Sequence, residues 1–234
     1  MLCKYTFKLL LCHIPVQIMG RIIQPTADGS FTIFDERVGE SFHSIHGAIQ
    51  ESLHVFIRSG FDGCQKSSVR VLEVGFGSGL NAYLTLLRAG EVQKIVEYET
   101  IEMYPLEAEL TNIFATGVED KDLFMRLHET PWQVKKEITP NFYLTKRRED
   151  MLMANFTGPF DVVYFDAFSP EKQPELWTEE LFFRIYGAMA DASALVTYCA
   201  KGEIKRRLRR VGFVVEALPG PPGKREITRA KKIR

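Results

Sequence analysis

An acid and three alternating glycines follow one another in the order Glu73, Gly75, Gly77 and Gly79. Glycine lets the backbone turn sharply and approach a ligand closely, because no Cβ stands in the way. The preceding residues, Val69–Val74, form a short apolar strand-like segment, and a helical pattern comes after the last glycine. A glycine turn between a strand and a helix indicates a nucleoside-cofactor site more than a tight turn without a ligand.

A second acid, Glu102, ends a strand-like segment over residues 94–103 and follows Gly75 by 27 positions. A carboxylate at the tip of the second strand of such a sheet can accept hydrogen bonds from both ribose hydroxyls of a nucleoside. Nicotinamide enzymes and methyltransferases both use this device, so Glu102 supports nucleoside binding without choosing between them. The alternative is a plain surface carboxylate, of which Glu97 and Glu99 are nearby examples.

A third acid, Asp166, follows the apolar segment Phe160–Phe165, and Pro170 and Pro174 hold the next residues out of a helix. In an open parallel sheet, ligands bind beyond the carboxyl ends of the strands, which is where Asp166 falls. A carboxylate beside an amine can orient its lone pair and receive a proton, so Asp166 is a candidate for catalysis or substrate orientation. A loop or helix-capping residue is the alternative.

The elements that must position these acids alternate between strands and helices. Strands are predicted at residues 69–74, 94–103, 141–146, 160–165, 194–200, 213–217 and 225–229, and helices at 80–88, 105–114, 178–189 and 202–211. Residues 117–140 are predicted to be irregular, or helical with breaks. The alternation predicts an α/β fold with a mostly parallel, Rossmann-like sheet and helices on both faces.

A hairpin and a helix precede this sheet and predict an N-terminal extension. An Asp-Gly pair at positions 28–29, between alternating segments, favours a hairpin of residues 21–24 and 31–34. A helix with Ser44 as its N-cap and Ile45 on its apolar side is predicted to come next.

The first eighteen residues differ in pattern from the rest of the chain. Lys4 and Lys8 precede a short apolar run that weakly resembles a secretory signal, but no A-x-A-like cleavage site comes after it. We expect residues 1–18 to be a disordered leader or an over-extended start. Residues 19–60 are expected to form the extension, packed on a Rossmann-like domain over residues 61–234.

Composition excludes several classes of protein. The 234 residues are 45% hydrophobic and 26% charged, which excludes a disordered, fibrous or disulfide-stapled chain. No stretch approaches the ~20 apolar residues of a membrane-spanning helix. The four cysteines are scattered, and His43 and His46 lack neighbours that could complete a metal site. We therefore expect no metal and a reduced, cytoplasmic setting.

The net charge of zero hides an asymmetry. Residues 201–234 contain twelve Lys or Arg and three Asp or Glu, a balance of +9, so the other 200 residues carry −9. A basic end on an acidic body favours a polyanion-facing surface. The alternative is a solvated helix face, and charge alone would favour it.

Five segments of the sequence resemble one family of enzymes. They are residues 39–44 with 47–48, then 72–81, 101–106, 165–178 and 220–230. The sequence is similar, over about residues 20–230, to the family that contains the methyltransferase half of the bacterial bifunctional tRNA enzyme MnmC and its stand-alone relative MnmD. The segment around Asp166 is the most distinctive part of the resemblance.

The resemblance implies a class I S-adenosylmethionine-dependent methyltransferase. Its expected activity is methyl transfer to the aminomethyl nitrogen of a modified wobble uridine in tRNA, which completes the methylaminomethyl side chain. Upstream tRNA-modifying enzymes would supply the aminomethyl substrate. The chain has neither the length nor a second glycine fingerprint for the flavin oxidase domain of the bifunctional relative, so we expect no oxidative activity.

The resemblance also implies roles for individual residues. Asp166 is the expected catalytic residue. The expected cofactor-binding residues are Glu73, Gly75, Gly77, Gly79, Asn81, Glu102, Met103, Asp150 and Asp166. The expected substrate or RNA contacts are His43, Glu51, Phe168, Trp177, Lys205, Arg206, Arg209, Lys224 and Arg225. Phe168 and Trp177 could stack on a flipped-out uridine, with core packing as the equal alternative.

Two other functions stay open at this point. One is an aminopropyltransferase-like enzyme, which also binds a sulfonium nucleoside and attacks with an amine, although the basic C-terminal segment disfavours a polycationic substrate. The other is a non-catalytic RNA-binding module on a Rossmann-like scaffold. The oligomeric state and the tRNA species do not follow from the sequence.

Overall fold

The structure is a computed structural model that describes residues 17–233. An eight-stranded sheet forms its centre. Its strands are β5 (Ser68–Val74), β6 (Ile95–Ile101), β7 (Lys135–Thr139), β8 (Phe142–Arg147), β9 (Phe160–Phe165), β10 (Met189–Thr197), β11 (Val214–Pro219) and β12 (Glu226–Lys232). The strand order is β11-β12-β10-β9-β5-β6-β8-β7. Strands β10, β9, β5, β6 and β8 are parallel, β12 is antiparallel to both its neighbours, and β7 is an antiparallel edge strand. The predicted mostly parallel α/β sheet is confirmed.

Helices cover the two faces of the sheet. They are α1 (Ala48–Ser52, continued by a π-helical turn over Leu53–Arg58), α2 (Leu80–Glu91), α3 (Ala108–Phe114), α4 (Lys121–Glu129), α5 (Glu179–Gly187) and α6 (Gly202–Val211). Two apolar cores lie on opposite faces, one containing Tyr98 and Tyr164 and the other Phe165 and Trp177. Strand β9 is buried along its whole length, as its continuous apolar sequence predicts.

The strand order places a crevice at one edge of the sheet. The chain runs from β5 to β6 on one side, and β9 then pairs with β5 on the other side. The connections leaving the carboxyl ends of β5 and β9 therefore diverge to opposite halves of the sheet. Ligands bind at such switch points, outside the carboxyl ends of the strands.

The N-terminal extension forms a second, antiparallel sheet of four strands. They are β1 (Gln17–Ile18), β2 (Arg21–Pro25), β3 (Phe31–Asp35) and β4 (Glu40–Ser41). The predicted hairpin is confirmed as the pair β2 and β3. Of the leader proposed for residues 1–18, only Gln17–Ile18 lie within the described residues, and they pair with β2; residues 1–16 lie outside them.

The first helix begins later than expected. Gly47, not Ser44, precedes α1, and it adopts a φ of +146° beside the Asp28 carboxylate, where a Cβ would lie 2.9 Å from Oδ2. The Ser44 hydroxyl instead accepts a hydrogen bond from the His46 backbone N–H (3.1 Å). Ile45, predicted on the apolar side of the helix, is 55% exposed. The close approach to Asp28 interrupts the helical pattern, which periodicity alone does not detect.

The middle of the chain is more regular than the sequence predicts. Residues 117–140 contain α4, capped by the Asp120 carboxylate, and the edge strand β7. The prolines and charged residues of this segment interrupt its hydrophobic pattern, so the sequence alone predicts neither element. Among the described residues, no helix combines the length and apolar character needed to cross a bilayer.

Candidate active site

A cleft of about 870 Å³ lies at the carboxyl ends of the parallel strands, beneath the N-terminal extension. Its wall combines the glycine turn, the loops after β6, β8 and β9, and the segment between β3 and α1. The predicted site residues that line it are Gly75, Gly77, Glu102, Met103, Asp150, Asp166, His43, Glu51, Phe168 and Lys224. Four loops of the central sheet, the N-terminal extension and the β11–β12 connection therefore meet in one cavity.

The glycine turn presents bare backbone to this cleft. Gly75, Gly77 and Gly79 have φ values of +88°, +50° and +77°, a region that side chains rarely adopt. A Cβ on Gly77 would lie 3.2 Å from the Phe42 ring. The turn is thus a cradle that a side chain would fill, which is the feature a nucleoside cofactor requires of it.

Glu102 is held in place at the tip of β6. Its Oε2 accepts a hydrogen bond from the Gly77 N–H (3.1 Å), and its Oε1 accepts one from the Tyr104 N–H (2.7 Å). These bonds fix the carboxylate beside the glycine turn, with both groups facing the cleft. The geometry suits a carboxylate that receives ribose hydroxyls.

Met103 and Asp150 flank the same end of the cleft. The Met103 side chain is 45% exposed, so it offers an apolar surface to a planar ring. Asp150 accepts a hydrogen bond from the Leu152 N–H through Oδ1 (2.9 Å). Both positions agree with the predicted location of a nucleoside.

Asp166 stands at the end of β9, on the cleft wall. Its Oδ2 accepts a hydrogen bond from Asn81 Nδ2 (2.7 Å). Burial raises the pKa of Asp166 well above its ordinary value, the Asn81 bond opposes that shift, and the charge of Glu51 adds to it. A carboxylate with a raised pKa is a stronger proton acceptor than a solvated one, which suits it to amine chemistry.

A buried ion pair lies near Asp166. Lys224 Nζ is 2.5 Å from Glu51 Oε1, and it also lies 4.2 Å from the centre of the Tyr198 ring. Glu51 Oε2 accepts a hydrogen bond from the Ser44 N–H (2.8 Å), and the Tyr198 hydroxyl donates to the Ala167 carbonyl (2.9 Å). The first helix and the β11–β12 hairpin are joined here, at the back of the cleft.

Two buried histidines hold Ser78, inside the glycine turn. His43 Nε2 lies 2.9 Å from Ser78 Oγ, and His128 Nε2 lies 3.0 Å from the Ser78 carbonyl. Burial lowers the pKa of His43 to about 4 and that of His128 to about 3. Both rings are therefore neutral at pH 7. No group of three potential ligands suited to a metal ion occurs within residues 17–233.

Three predicted cofactor residues lie beneath the cleft. Glu73 is fully buried beside Thr100, and burial raises the pKa of its carboxyl well above the ordinary value. Gly79 forms the N-cap of α2, where a Cβ would lie 2.6 Å from His128 Nε2. Asn81 reaches Asp166 instead of the cavity. None of the three lines the cavity, because their side chains or Cβ positions point into the packed interior, and their expected contact with the cofactor stays a prediction.

Two of the predicted RNA contacts are wrong, because the residues concerned are buried. Trp177 is fully buried, and its Nε1 donates to the Phe168 carbonyl (2.8 Å), so its ring supports the site loop from below and cannot stack on a base. Lys205 is 8% exposed and pairs with Glu226 (2.5 Å). Phe168, in contrast, lines the cleft. Lys205 is buried because it lies on the inward face of α6, and Trp177 is buried because it packs beneath the loop after β9.

The remaining cations of the basic end differ in availability. Arg206, Arg209 and Arg225 are exposed, and none of their side chains forms a hydrogen bond or a salt bridge with another described residue. Arg207 is bound to Glu203 and to the Trp177 carbonyl, and Arg210 pairs with Glu179.

Sequence reasoning missed many residues of the cleft wall, among them Arg21, Glu40, Phe42 and Tyr198. Glu40 and Phe42 fall within a segment that resembles the family, which is the signal that could have identified them. Arg21 and Tyr198 lie on strand β2 and just after β10, and only the folded chain brings them to the cavity.

Comparison with known proteins agrees with this geometry. A family model described as S-adenosyl-L-methionine-dependent methyltransferase matches residues 133–233, a range that includes Asp150, Asp166 and Lys224. The chain is 26% identical over 218 residues to the tRNA 5-methylaminomethyl-2-thiouridine biosynthesis bifunctional protein MnmC of Azoarcus sp., covering 86% of this chain and 34% of that protein. The chain spans about a third of the length of these curated relatives.

Two solved structures resemble the whole fold. The crystal structure of MNMC2 from Aquifex aeolicus matches with a TM-score of 0.75 and 28% identity, covering 93% of this chain and 72% of that chain. Spermidine synthase from Thermotoga maritima matches with a TM-score of 0.58 and 14% identity, covering 95% of this chain and 73% of that chain, and this likeness shows the fold alone.

Fold, glycine cradle and family match define a class I S-adenosylmethionine-dependent methyltransferase domain. Within that class, the chain is similar in sequence to the MnmC proteins and in structure to MNMC2.

Proposed function

We propose that this domain transfers a methyl group from S-adenosylmethionine to the aminomethyl nitrogen of a modified wobble uridine in tRNA. The observation that carries the proposal is the position of Asp166, a carboxylate of raised pKa, in the same cleft as the glycine turn and Glu102. The names of the curated relatives, which describe biosynthesis of 5-methylaminomethyl-2-thiouridine, support the choice of acceptor.

The cofactor half of the cleft consists of the glycine turn, Glu102, Met103 and Asp150. The bare backbone at Gly75 and Gly77 receives the amino-acid portion of the cofactor, and Glu102 receives the ribose hydroxyls. Met103 packs against the adenine, and Asp150 faces its exocyclic amine. When bound, S-adenosylmethionine supplies an electrophilic methyl carbon on a sulfonium centre.

The acceptor half is built around Asp166. Its carboxylate would orient the neutral amine so that the nitrogen lone pair is directed toward the methyl donor. It would take the proton that the amine loses as the N–C bond forms and the sulfonium S–C bond breaks, which leaves S-adenosylhomocysteine. Asn81 fixes the orientation of the carboxylate through the 2.7 Å hydrogen bond. The Phe168 ring, on the same wall, is placed to stack on the uracil.

The exposed cations supply the RNA-facing surface in this proposal. Arg206, Arg209 and Arg225 contact phosphates, which gives affinity without sequence information. Upstream tRNA-modifying enzymes supply the aminomethyl group. Cys64 and Cys199 are free thiols, consistent with the reduced, cytoplasmic setting that we propose for the reaction.

Radiolabelled methyl transfer to tRNA from cells that lack this methylation step tests the proposal. Nucleoside mass analysis should show one added methyl group on the aminomethyl uridine and none on tRNA that already carries it. Transfer of an aminopropyl group from decarboxylated S-adenosylmethionine to a small amine, with tRNA unmodified, would instead establish the aminopropyltransferase-like alternative. S-Adenosylmethionine binding without transfer to any acceptor would contradict the assignment of Asp166.

A further inference from the structure

The N-terminal extension makes a separate polar contact with three of the four loops that border the cleft. Arg21 is 3% exposed, and its guanidinium donates to the carbonyls of Tyr104 (3.0 Å) and Pro105 (3.1 Å). These residues lie just beyond Glu102, so Arg21 holds the loop that carries the ribose-binding carboxylate. His43, from the same extension, holds Ser78 in the glycine turn (2.9 Å).

The third contact reaches the acceptor side of the cleft. Glu40 Oε2, on the short strand β4, accepts hydrogen bonds from both the N–H (3.1 Å) and the hydroxyl (2.7 Å) of Ser169. Ser169 lies three residues beyond Asp166, immediately after Phe168. Hydrogen bonds to an ionised carboxylate are stronger than bonds between neutral groups, so this pair constrains the loop.

An aromatic ring of the extension separates the two halves of the cleft. The Phe42 ring packs edge-on against Phe168 with 5.4 Å between ring centres, and a Cβ added at Gly77 would lie 3.2 Å from it. The Arg21 guanidinium lies 5.7 Å from the centre of the Phe42 ring. The anchors to the cofactor loop and to the acceptor loop therefore lie on either side of Phe42.

We infer that Glu40 is a positioning residue for the methyl acceptor and that Arg21 is a positioning residue for the cofactor. Glu40 acts through Ser169 on the loop that presents Asp166 and Phe168, whereas Arg21 acts through Tyr104 on the loop that presents Glu102. This inference rests on the proposed function for its acceptor half. Small displacements of a reacting group are costly, so loss of either anchor should impair one half of the reaction selectively.

Matched variants distinguish an effect on the cofactor half of the cleft from an effect on the acceptor half. Glu40→Ala removes the carboxylate, Glu40→Gln keeps one acceptor oxygen for Ser169, and Arg21→Met removes the guanidinium while keeping its length. Glu36→Gln is the control, because Glu36 belongs to the same extension but accepts a hydrogen bond from Gln17 outside the cleft. Calorimetry measures S-adenosylmethionine affinity, methyl transfer gives kcat and the KM for tRNA, and hydrogen exchange reports protection of residues 166–170.

We expect Glu40→Ala to lower kcat by about tenfold and to reduce protection of residues 166–170, with unchanged cofactor affinity. Glu40→Gln should restore part of both properties. Arg21→Met should show the opposite pattern, with cofactor affinity weaker by about tenfold and the protection of residues 166–170 retained. A Ser169→Ala change in the Glu40→Ala background should add little, because the two groups act as one contact.

Equal loss of cofactor affinity in Glu40→Ala and Arg21→Met would overturn the inference, as would unchanged kcat and exchange in Glu40→Ala. Failure of the wild-type protein to methylate aminomethyl tRNA would instead overturn the proposed function. In that case the exchange and calorimetry results still decide whether each anchor controls its own loop.

Discussion

The glycine turn and the basic helix α6 were both prominent in the sequence, yet they differ in how far their residue types determine their use. In the turn, positive φ angles at Gly75 and Gly77 create the cradle, so the residue type itself sets the geometry. In α6, Lys205, Arg207 and Arg210 are engaged in ion pairs. Charge therefore predicts a basic surface, whereas the availability of each cation depends on neighbours distant in sequence.

The largest expected effect comes from replacing Asp166, the proposed catalytic residue, which shares the cleft with the glycine turn. Asp166→Asn should lower kcat by about 10²–10⁴, because the proton acceptor is lost. Cofactor affinity should remain nearly unchanged, since the glycine turn is intact. Loss of cofactor binding by a well-folded variant would assign Asp166 to the cofactor site instead.

The same variant should be more stable than the wild type at pH 7. Burial raises the folded-state pKa of Asp166 above its unfolded value. The free energy of unfolding therefore falls as the pH rises above the unfolded pKa, because the folded state resists ionisation of this carboxyl group. Asn removes this cost. Urea unfolding at pH 7 measures the change, and a lower free energy of unfolding in Asp166→Asn would contradict the pKa direction.

Adding one methyl group to the turn should sharply weaken cofactor binding. In Gly77→Ala, the Cβ would lie 3.2 Å from Phe42 at a φ of +50°, and strain of this kind costs about 1–3 kcal/mol, or roughly tenfold or more in affinity. Gly90→Ala is the matched control, because no atom lies within 4 Å of its Cβ position in α2. That control should bind the cofactor normally and gain about 0.5–1 kcal/mol in stability. Similar binding by both variants would show that the glycine turn is not a cofactor cradle.

The basic end should respond according to exposure, not charge. Removing the exposed Arg206 and Arg209 together, as Gln, should lower tRNA affinity and reduce the slope of log affinity against log salt by about 2. Lys205→Met removes a positive charge from a buried site and should leave that slope unchanged. Binding titrations at several salt concentrations make the comparison, and equal slopes for all three proteins would refute the assigned surface.

The smallest effect at neutral pH concerns the two histidines that hold Ser78. Their folded-state pKa values, about 4 and about 3, are below the ordinary value of 6.5. The unfolded chain therefore binds more protons below pH 6.5, and stability is lost as pH falls toward 4. His128→Gln should reduce this slope by at most about 1.4 kcal/mol per pH unit, with the exposed His46→Asn as control. An unchanged slope in His128→Gln would show that the ring is not buried as a neutral group.

Local sequence was sufficient for most of the sheet. The buried strand Phe160–Phe165 and the helix Gly202–Val211 have the predicted bounds, because a continuous apolar run and a 3.6-residue stripe each describe one element. The helix expected to begin after Ser44 begins at Ala48 instead, since Gly47 approaches Asp28 closely. Periodicity describes the face of an element, not the contacts at its ends.

By itself, the sequence determined the α/β class, the glycine turn, the acid at the end of β6 and the acid at the end of β9. Each of these depends on residues adjacent along the chain. Only the tertiary structure decided that Arg21, Glu40 and Tyr198 share the cleft and that Trp177 and Lys205 do not face it. The physical reason is that burial and hydrogen bonding arise between segments far apart in sequence, such as Glu40 and Ser169, which are 129 residues apart, and no local pattern records such a pairing.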